Sequence, residues 1–238
     1  MSDGWAESAR AWIADMGDTG DFGRACVLDR PMLERVGDGR FATALDVGCG
    51  EGRFCRMLGE RGIKTAGIDP TEALIAEARR RHPEGEYRIG RAEALDFPDA
   101  SFDLVVSYLS LIDIPDLGPA IAEMARVLRP GGSLLIANLT SFTTAAQASF
   151  GARFGPRFGL GPTLDRYLEE RADWVGWRGI RIRNWHRPLE TYMALLLGQG
   201  LELRHFAEPA PYAGSPSRIA RYRRAPWFLI MEWRKPGA

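Results

Sequence analysis

Near residue 50, the chain runs from a short apolar stretch, Ala42–Val47, into Gly48-Cys49-Gly50-Glu51-Gly52. It then enters Arg53–Arg61, where Phe54, Met57 and Leu58 fall on one helical face. Glycines at 48 and 50 let the backbone turn sharply at a strand end and approach a ligand closely, where any Cβ would obstruct. The loop also opens a helix whose free N–H groups and dipole favour a negatively charged group. A strand, glycine loop and helix in this order point to an open α/β sheet that binds its ligand at the carboxyl ends of the strands.

The segment to residue 138 repeats the alternation. Thr65–Ile68 reads as a second strand. Asp69 caps and Pro70 opens a helix through Arg81, which His82-Pro83 ends. Tyr87–Ile89 and Phe102–Ser107 read as strands, the latter nearly all apolar as a strand covered on both faces should be. A helix over 116–128, the turn Pro130-Gly131-Gly132 and the strand Leu134–Ala137 complete a parallel sheet with right-handed crossovers. Residues 5–36 read as helical with a break at Gly17–Gly23. The alternation fails over 140–185, which is too long for a plain loop; it reads as an insertion over the site, with a helical piece near 163–174. Leu189–Leu197 reads as a helix, Leu201–Phe206 and Trp227–Trp233 as strands, and Pro209–Pro226 as a long loop between those strands.

The expected fold is therefore α/β: a Rossmann-like, seven-stranded, mostly parallel sheet with helices on both faces, an N-terminal helical lid and an insertion after strand 5. One domain is expected over 1–238, with the helical lid at 1–36, a cofactor-binding core at 42–138, a substrate lid at 139–188, and a C-terminal helix and strands at 189–238. The 238 residues and 45% hydrophobic content suit such a domain and exclude wholesale disorder. The sequence holds no membrane-length apolar run and no signal-like N-terminus, so a cytoplasmic protein is expected. Cys26, Cys49 and Cys55 lack metal-ligand spacing, and no metal is expected. The net charge of zero divides into −7 over residues 1–140 and +7 over 141–238. The bases of the second part are dispersed, which favours a solvated surface over nucleic-acid binding.

Asp69 stands 19 positions after Gly50, at the end of the second strand, where a carboxylate can accept from both hydroxyls of a ribose. A dinucleotide site calls for Gly-x-Gly-x-x-Gly; this chain has Gly-x-Gly-x-Gly, preceded by Asp46. Here the sequence resembles the class I S-adenosylmethionine-dependent methyltransferases. ALDVGCGEGRF (44–54) looks like their first motif and GIDP (67–70) their second. RAEALDFPDASFDLVVS (91–107) is similar to their adenine-contacting loop and fourth strand, and LRPGGSLLIA (128–137) to their turn and fifth strand. The nearest branch resembles the quinone-biosynthesis type of small-molecule enzyme, with similarity extending into 20–33 and 185–196.

The resemblance implies S-adenosyl-L-methionine as cofactor and assigns roles by position. Gly48 and Gly50 would pass beside its methionine part, with Asp46 anchoring the loop. Asp69 would hold the ribose, with Pro70 beside the adenine and Ala92 and Glu93 along the adenine edge. Many relatives carry an Asp where this chain has Arg91, which cannot accept from the adenine amino group; Glu93 or a backbone carbonyl would then serve. Ser107 and Tyr108 would sit by the methionine and the transferred methyl. Arg24 is read either as a clamp for the methionine carboxylate or as a surface arginine.

An oxygen acceptor needs a base, whereas a neutral nitrogen does not. His186 is the candidate base, because imidazole titrates in the right range; the other reading is a histidine satisfied by hydrogen bonds that shapes the pocket. Asp113 is an alternative base or polar anchor. Trp5, Trp12, Phe150, Phe154, Phe158, Tyr167, Trp174, Trp177 and Trp185 cluster in the two lid segments, where they either stack a flat acceptor or form a core of their own. Trp5, Tyr108, Asp113, Trp177, Trp185 and His186 are the expected substrate contacts. The motif of amino-directed nucleic-acid enzymes is absent after the fourth strand, which reads Ser107-Tyr108-Leu109-Ser110. The expected partner is thus a small, aromatic or heteroaromatic acceptor methylated on O or N, with no nucleic acid or membrane partner, in a monomer or homodimer. Carbon methylation of a quinone-like ring, a silent cofactor-binding module and a dinucleotide oxidoreductase are the rivals.

Overall fold

The computed structural model describes residues 3–150 and 164–237. It opens with α1 (Trp5–Met16), then a π-helical turn (Arg24–Leu28) running into α2 (Asp29–Val36). The alternating core follows: β1 (Thr43–Val47), α3 (Arg53–Gly59), β2 (Lys64–Asp69), α4 (Glu72–Arg81), β3 (Glu86–Ile89), β4 (Phe102–Tyr108), α5 (Leu117–Val127) and β5 (Leu128–Leu139). After α6 (Ser141–Phe150) come β6 (Arg171–Trp177), β7 (Ile180–His186), α7 (Leu189–Gly198), β8 (Glu202–Ala207), α8 (Pro216–Tyr222) and β9 (Phe228–Arg234).

The main sheet has seven strands in the order β3-β2-β1-β4-β5-β9-β8, parallel except for β9, which runs antiparallel to both neighbours. Strand order reverses between β1 and β4, where Asp46 pairs with Gly67 on one side and Val106 on the other. Strands in the middle of a parallel sheet need apolar side chains on both faces. Leu45 and Val47 of β1 accordingly face α5 and α7, while Ala44 joins Leu104 and Val106 against α2 and α3. On α5, Leu117, Ala120, Ile121 and Met124 make a helical stripe, all buried. Edge strand β8 is largely exposed.

Several elements differ from the sequence-based expectation: α6 opens the expected insertion with a helix, and α4 begins at Glu72 with Thr71 rather than Asp69 at its N-cap. The described part of the expected helix near 163–174 holds no helix; instead β6 and β7 pair as a separate antiparallel hairpin. The period is visible in IRIRNWH (180–186): Ile180, Ile182, Asn184 and His186 are buried, while Arg181, Arg183 and Trp185 alternate outward. The loop 209–226 contains α8, begun by Pro216 and capped by the Ser215 hydroxyl, which accepts from the N–H of Arg218. Of the expected insertion aromatics, Phe154 and Phe158 lie outside the described residues, as does the side chain of Phe150.

The hairpin does not stand apart. Ile180 and Ile182 of β7, Ala9, Trp12 and Met16 of α1, and Leu74 of α4 form one small core. The Ser8 hydroxyl donates to the Arg181 carbonyl and accepts from its N–H, at 3.0 and 2.9 Å.

Elsewhere in the main sheet, Glu232 of β9, which lies between β5 and β8, is buried. It accepts from Arg35 of α2, from Arg40 and from the Ser133 hydroxyl. Removing the carboxylate would leave both guanidiniums without their shared anion, each only about a third exposed. Glu232→Ala is expected to destabilise the fold by about 2–3 kcal/mol, less than a wholly buried pair because the arginines reach water. Urea denaturation monitored by far-UV circular dichroism measures it, and a loss under about 0.5 kcal/mol, within the range of ordinary surface changes, would show the cluster to be inert.

Candidate active site

The carboxyl ends of β1, β2 and β4 open onto a cavity of about 1020 Å³, its mouth included. The glycine loop forms its floor. Gly48 has φ +78°, and a Cβ there would stand 2.4 Å from the Cβ of Ser110. Gly50 has φ +56°, and a Cβ there would meet Trp12 of α1 at 3.0 Å. Both positions therefore need glycine for conformation and for space.

Asp69 holds this loop in place. One carboxylate oxygen accepts from the Gly50 N–H at 3.1 Å, and the other accepts from the Thr71 N–H at 2.8 Å. Burial pushes its carboxyl above the ordinary range, against the pull of the Thr71 and Gly50 donors. Asp46 is buried beneath the same loop. Its Oδ2 accepts from the Cys55 thiol at 3.6 Å, and its Oδ1 has no partner among the described residues. Burial raises its pKa to about 7; the Cys55 thiol opposes this, and the charges of Asp69 and Glu51 add to it.

Tyr108 closes another wall. Its hydroxyl donates to Asp29 at 2.7 Å, and Asp29 is gripped by both terminal nitrogens of Arg53. The Arg24 guanidinium pairs with Asp21 at 3.1 Å and lies 5.6 Å from the Trp12 ring and 5.9 Å from the Tyr108 ring. At the far end, Arg91 pairs with Glu93 at 2.7 Å beside Ala92. Trp5 and Trp12 meet edge to face, 5.9 Å apart, and complete an aromatic wall from α1.

The structure thus brings Arg24, Asp46, Gly48, Gly50, Asp69, Pro70, Ala92, Glu93, Tyr108, Trp5 and Asp113 to one cavity. Four expected site residues are elsewhere. Ser107 is fully buried behind Ser110, with the two hydroxyls hydrogen-bonded at 2.7 Å; Ser110, not Ser107, reaches the cavity. Trp177 lies opposite Ile180 on the hairpin face that meets α1, where its indole N–H donates to Asp15 at 3.2 Å, and it does not line the cavity. Trp185 projects from β7 between Arg183 and Arg187, 5.5 and 4.9 Å from its ring, away from the cavity lining.

His186 is buried and does not line the cavity. Its Nε2–H donates to the Tyr167 carbonyl at 2.8 Å, and its Nδ1 shares a hydrogen with the Thr144 hydroxyl at 2.8 Å. Burial lowers its pKa, with the Tyr167 carbonyl opposing. Both ring nitrogens are engaged in holding β7 to α6 and to the segment before β6. The imidazole has no free lone pair to offer an acceptor.

The sequence reading missed Arg53, Ser110 and the Asp29 network. Asp29, Arg53 and Tyr108 come from three elements, and no local pattern links them. The same is true of Asn184, whose amide donates to Asp113 at 2.6 Å.

The cavity suits a nucleoside cofactor with an amino-acid tail: a glycine cradle that a Cβ would fill, a carboxylate at the end of β2, and a buried Asp46 oxygen still lacking a partner. The comparisons agree. A family described as a methyltransferase domain matches residues 45–136. The demethylmenaquinone methyltransferase of Beutenbergia cavernae is 30% identical over 179 residues, 65% of this chain and 73% of that one. The malonyl-[acyl-carrier protein] O-methyltransferase of Serratia marcescens is 36% identical over 126 residues, 51% of this chain and 49% of its own. This chain spans about half the length of that relative. An S-adenosylmethionine-dependent methyltransferase from Mesorhizobium loti superposes with a TM-score of 0.74 at 28% identity, over 92% of this chain and all of that one. The chain belongs to the class I S-adenosylmethionine-dependent methyltransferases, and S-adenosylmethionine is the cofactor that this family implies.

The Asp46 shift carries a consequence for pH. A carboxyl whose pKa is raised by folding binds its proton more tightly in the native state, so its stabilising contribution is lost as pH rises. The window runs from the ordinary 3.8 to about 7. Thermal denaturation without cofactor is expected to show the wild type losing stability relative to Asp46→Asn across that window. Parallel pH profiles for the two proteins would contradict the assignment.

Proposed function

We propose that this protein transfers a methyl group from S-adenosylmethionine to nitrogen or oxygen of a small, flat, aromatic or heteroaromatic acceptor. The observation that carries the reading is one cavity in which the Gly48–Gly52 loop and Asp69 face the aromatic wall of Trp5, Trp12 and Tyr108. When bound, the cofactor supplies an electrophilic methyl on a sulfonium and a thioether leaving group. Gly48 and Gly50 would admit its methionine part and Asp69 its ribose hydroxyls, with Pro70, Ala92 and Glu93 beside the base. Arg24, already held by Asp21, would face the methionine carboxylate.

The protein's own contribution is alignment and exclusion of water. Tyr108 is fixed by Asp29, and burial together with that carboxylate pushes its pKa up. It stays a neutral wall rather than a base. With His186 committed to Thr144 and Tyr167, no histidine among the described residues lines the cavity, which favours an acceptor nitrogen over an unactivated hydroxyl. A second reading, carbon methylation of a quinone-like ring, is supported by the similarity to demethylmenaquinone methyltransferases.

Each hydrogen bond from a ribose hydroxyl to the Asp69 carboxylate is worth roughly 1.5–3 kcal/mol. Asp69→Ala is therefore expected to weaken S-adenosylmethionine binding at least about tenfold. Isothermal calorimetry on the folded variant checks this; unchanged affinity would move the ribose elsewhere. Incubation with a metabolite extract and methyl-labelled S-adenosylmethionine, followed by mass spectrometry of labelled products, identifies the acceptor atom.

A further inference from the structure

The charges around the cavity do not balance. Each arginine that lines it already has an acid: Arg24 has Asp21, Arg53 has Asp29 and Arg91 has Glu93. Glu51 is neutralised by Arg56 and Arg81. Asp3, Asp46, Asp69 and Asp113 line the same cavity, and no basic side chain among the described residues pairs with any of them. Asp46 moreover holds a buried oxygen with no donor at all. A bound S-adenosylmethionine brings one net positive charge, which leaves carboxyl groups still uncompensated. Burial, with the charge of Asp69 and Asp3 adding to it, drives the Asp113 carboxyl well above its ordinary range, and hydrogen bonds from the Asn184 amide and the Trp5 side chain only partly oppose this. A cation placed against Asp113 would stabilise the ionised form that burial disfavours.

Asp113 is also held in place with unusual thoroughness for a loop residue. Asn184 of β7 is buried, and its amide donates to one Asp113 oxygen at 2.6 Å. Next along β7, the Trp185 N–H donates to the Ile112 carbonyl at 2.6 Å. The buried Arg187 guanidinium then donates to the carbonyls of Leu111, Ile114 and Pro115, at 3.3, 2.8 and 2.9 Å. Three positions at the hairpin's end, 184, 185 and 187, thus fasten the loop on both sides of Asp113. The carboxylate is presented to the cavity by β7 and does not depend on an exposed loop for its aim.

We infer that Asp113 is an acceptor-binding residue that receives a cationic nitrogen, so that the acceptor is an amine rather than a phenol or a carboxylic acid, and that Asn184 is the residue that positions it. A carboxylate acceptor would add negative charge to four acids that no base pairs with. A phenol would have to become an anion among them to react. An ammonium group instead donates its N–H to Asp113, and passing that proton to the carboxylate frees the nitrogen lone pair that takes the methyl. The inference rests on the cofactor placement given above.

The test uses the full-length protein saturated with S-adenosylhomocysteine, which carries no transferable methyl. Three probes share one aromatic skeleton: phenethylamine, cationic at neutral pH; 2-phenylethanol, neutral; and 3-phenylpropionate, anionic. Affinities come from ligand-observed NMR titration. Phenethylamine is expected to bind at least tenfold more tightly than either other probe, and Asp113→Asn should abolish that preference. Asn184→Ala, which alters no cavity-lining side chain, should reduce the preference severalfold while S-adenosylhomocysteine affinity stays unchanged. If Asp113→Asn does not fold, the Asn184→Ala arm decides alone. Equal or tighter binding of the alcohol or the propionate, no binding of the amine, or a preference that survives the substitutions would overturn the inference. Failure of the unmodified protein to bind S-adenosylhomocysteine would overturn the cofactor placement itself, and is read before any amine is added.

Discussion

The carboxylate of Asp69 ties the end of one strand to the loop that follows another. Its two oxygens take the N–H groups of Gly50 and Thr71, so the glycine loop after β1 and the entry to α4 after β2 are fixed relative to each other. The same loop is held from behind, where the N–H groups of Gly48 and Cys49 both donate to the Ile68 carbonyl. A loop with three glycines would otherwise be the most mobile part of the site, since glycine loses the most conformational freedom on ordering. The hydrogen bonds from β2 hold it against that entropy. The cavity's floor is thereby formed before any ligand arrives.

What the parallel core does for the cofactor end, the β6–β7 hairpin does for the other. A hairpin of two strands is marginal alone in water. This one is stabilised by burying Ile180 and Ile182 against α1 and Leu74, and by lending its end to the loop after β4. His186 belongs to that structural role. It is spent on Thr144 and Tyr167, just as Arg187 is spent on three carbonyls. Two residues with the chemistry of a catalytic pair thus serve as fasteners, and the group they secure in the cavity is a carboxylate.

The parallel core is legible in the sequence because its signals are local. Runs such as FDLVVS are apolar on both faces, the glycines mark one junction, and Asp69 lies a fixed distance along the chain. The same locality explains the misses. His186 next to Trp185 reads as a lid histidine, since nothing nearby in sequence reveals Thr144, 42 positions earlier, or the Tyr167 carbonyl. Ser107 and Ser110 are equally plausible on composition. Only the packing of Gly48 against Ser110 selects the latter. The hairpin carried a readable alternation in IRIRNWH, but arginine on its outward positions and aromatics through 171–177 masked the strand signal.

Gly50 shows how closely the two ends of the site are joined. Its missing side chain is most simply read as room for a cofactor, yet the nearest atom a Cβ would meet belongs to Trp12 of α1, at 3.0 Å. Trp12 in turn packs edge-on to Trp5 and shares a core with Ile180 and Ile182 of β7. A substituent at position 50 would press on the aromatic wall and, through it, on the hairpin whose next residues hold Asp113. The small size of one loop residue therefore fixes both the floor under the cofactor and the distance from that floor to the wall facing the acceptor. An interior packed to crystal-like density transmits such displacements rather than absorbing them.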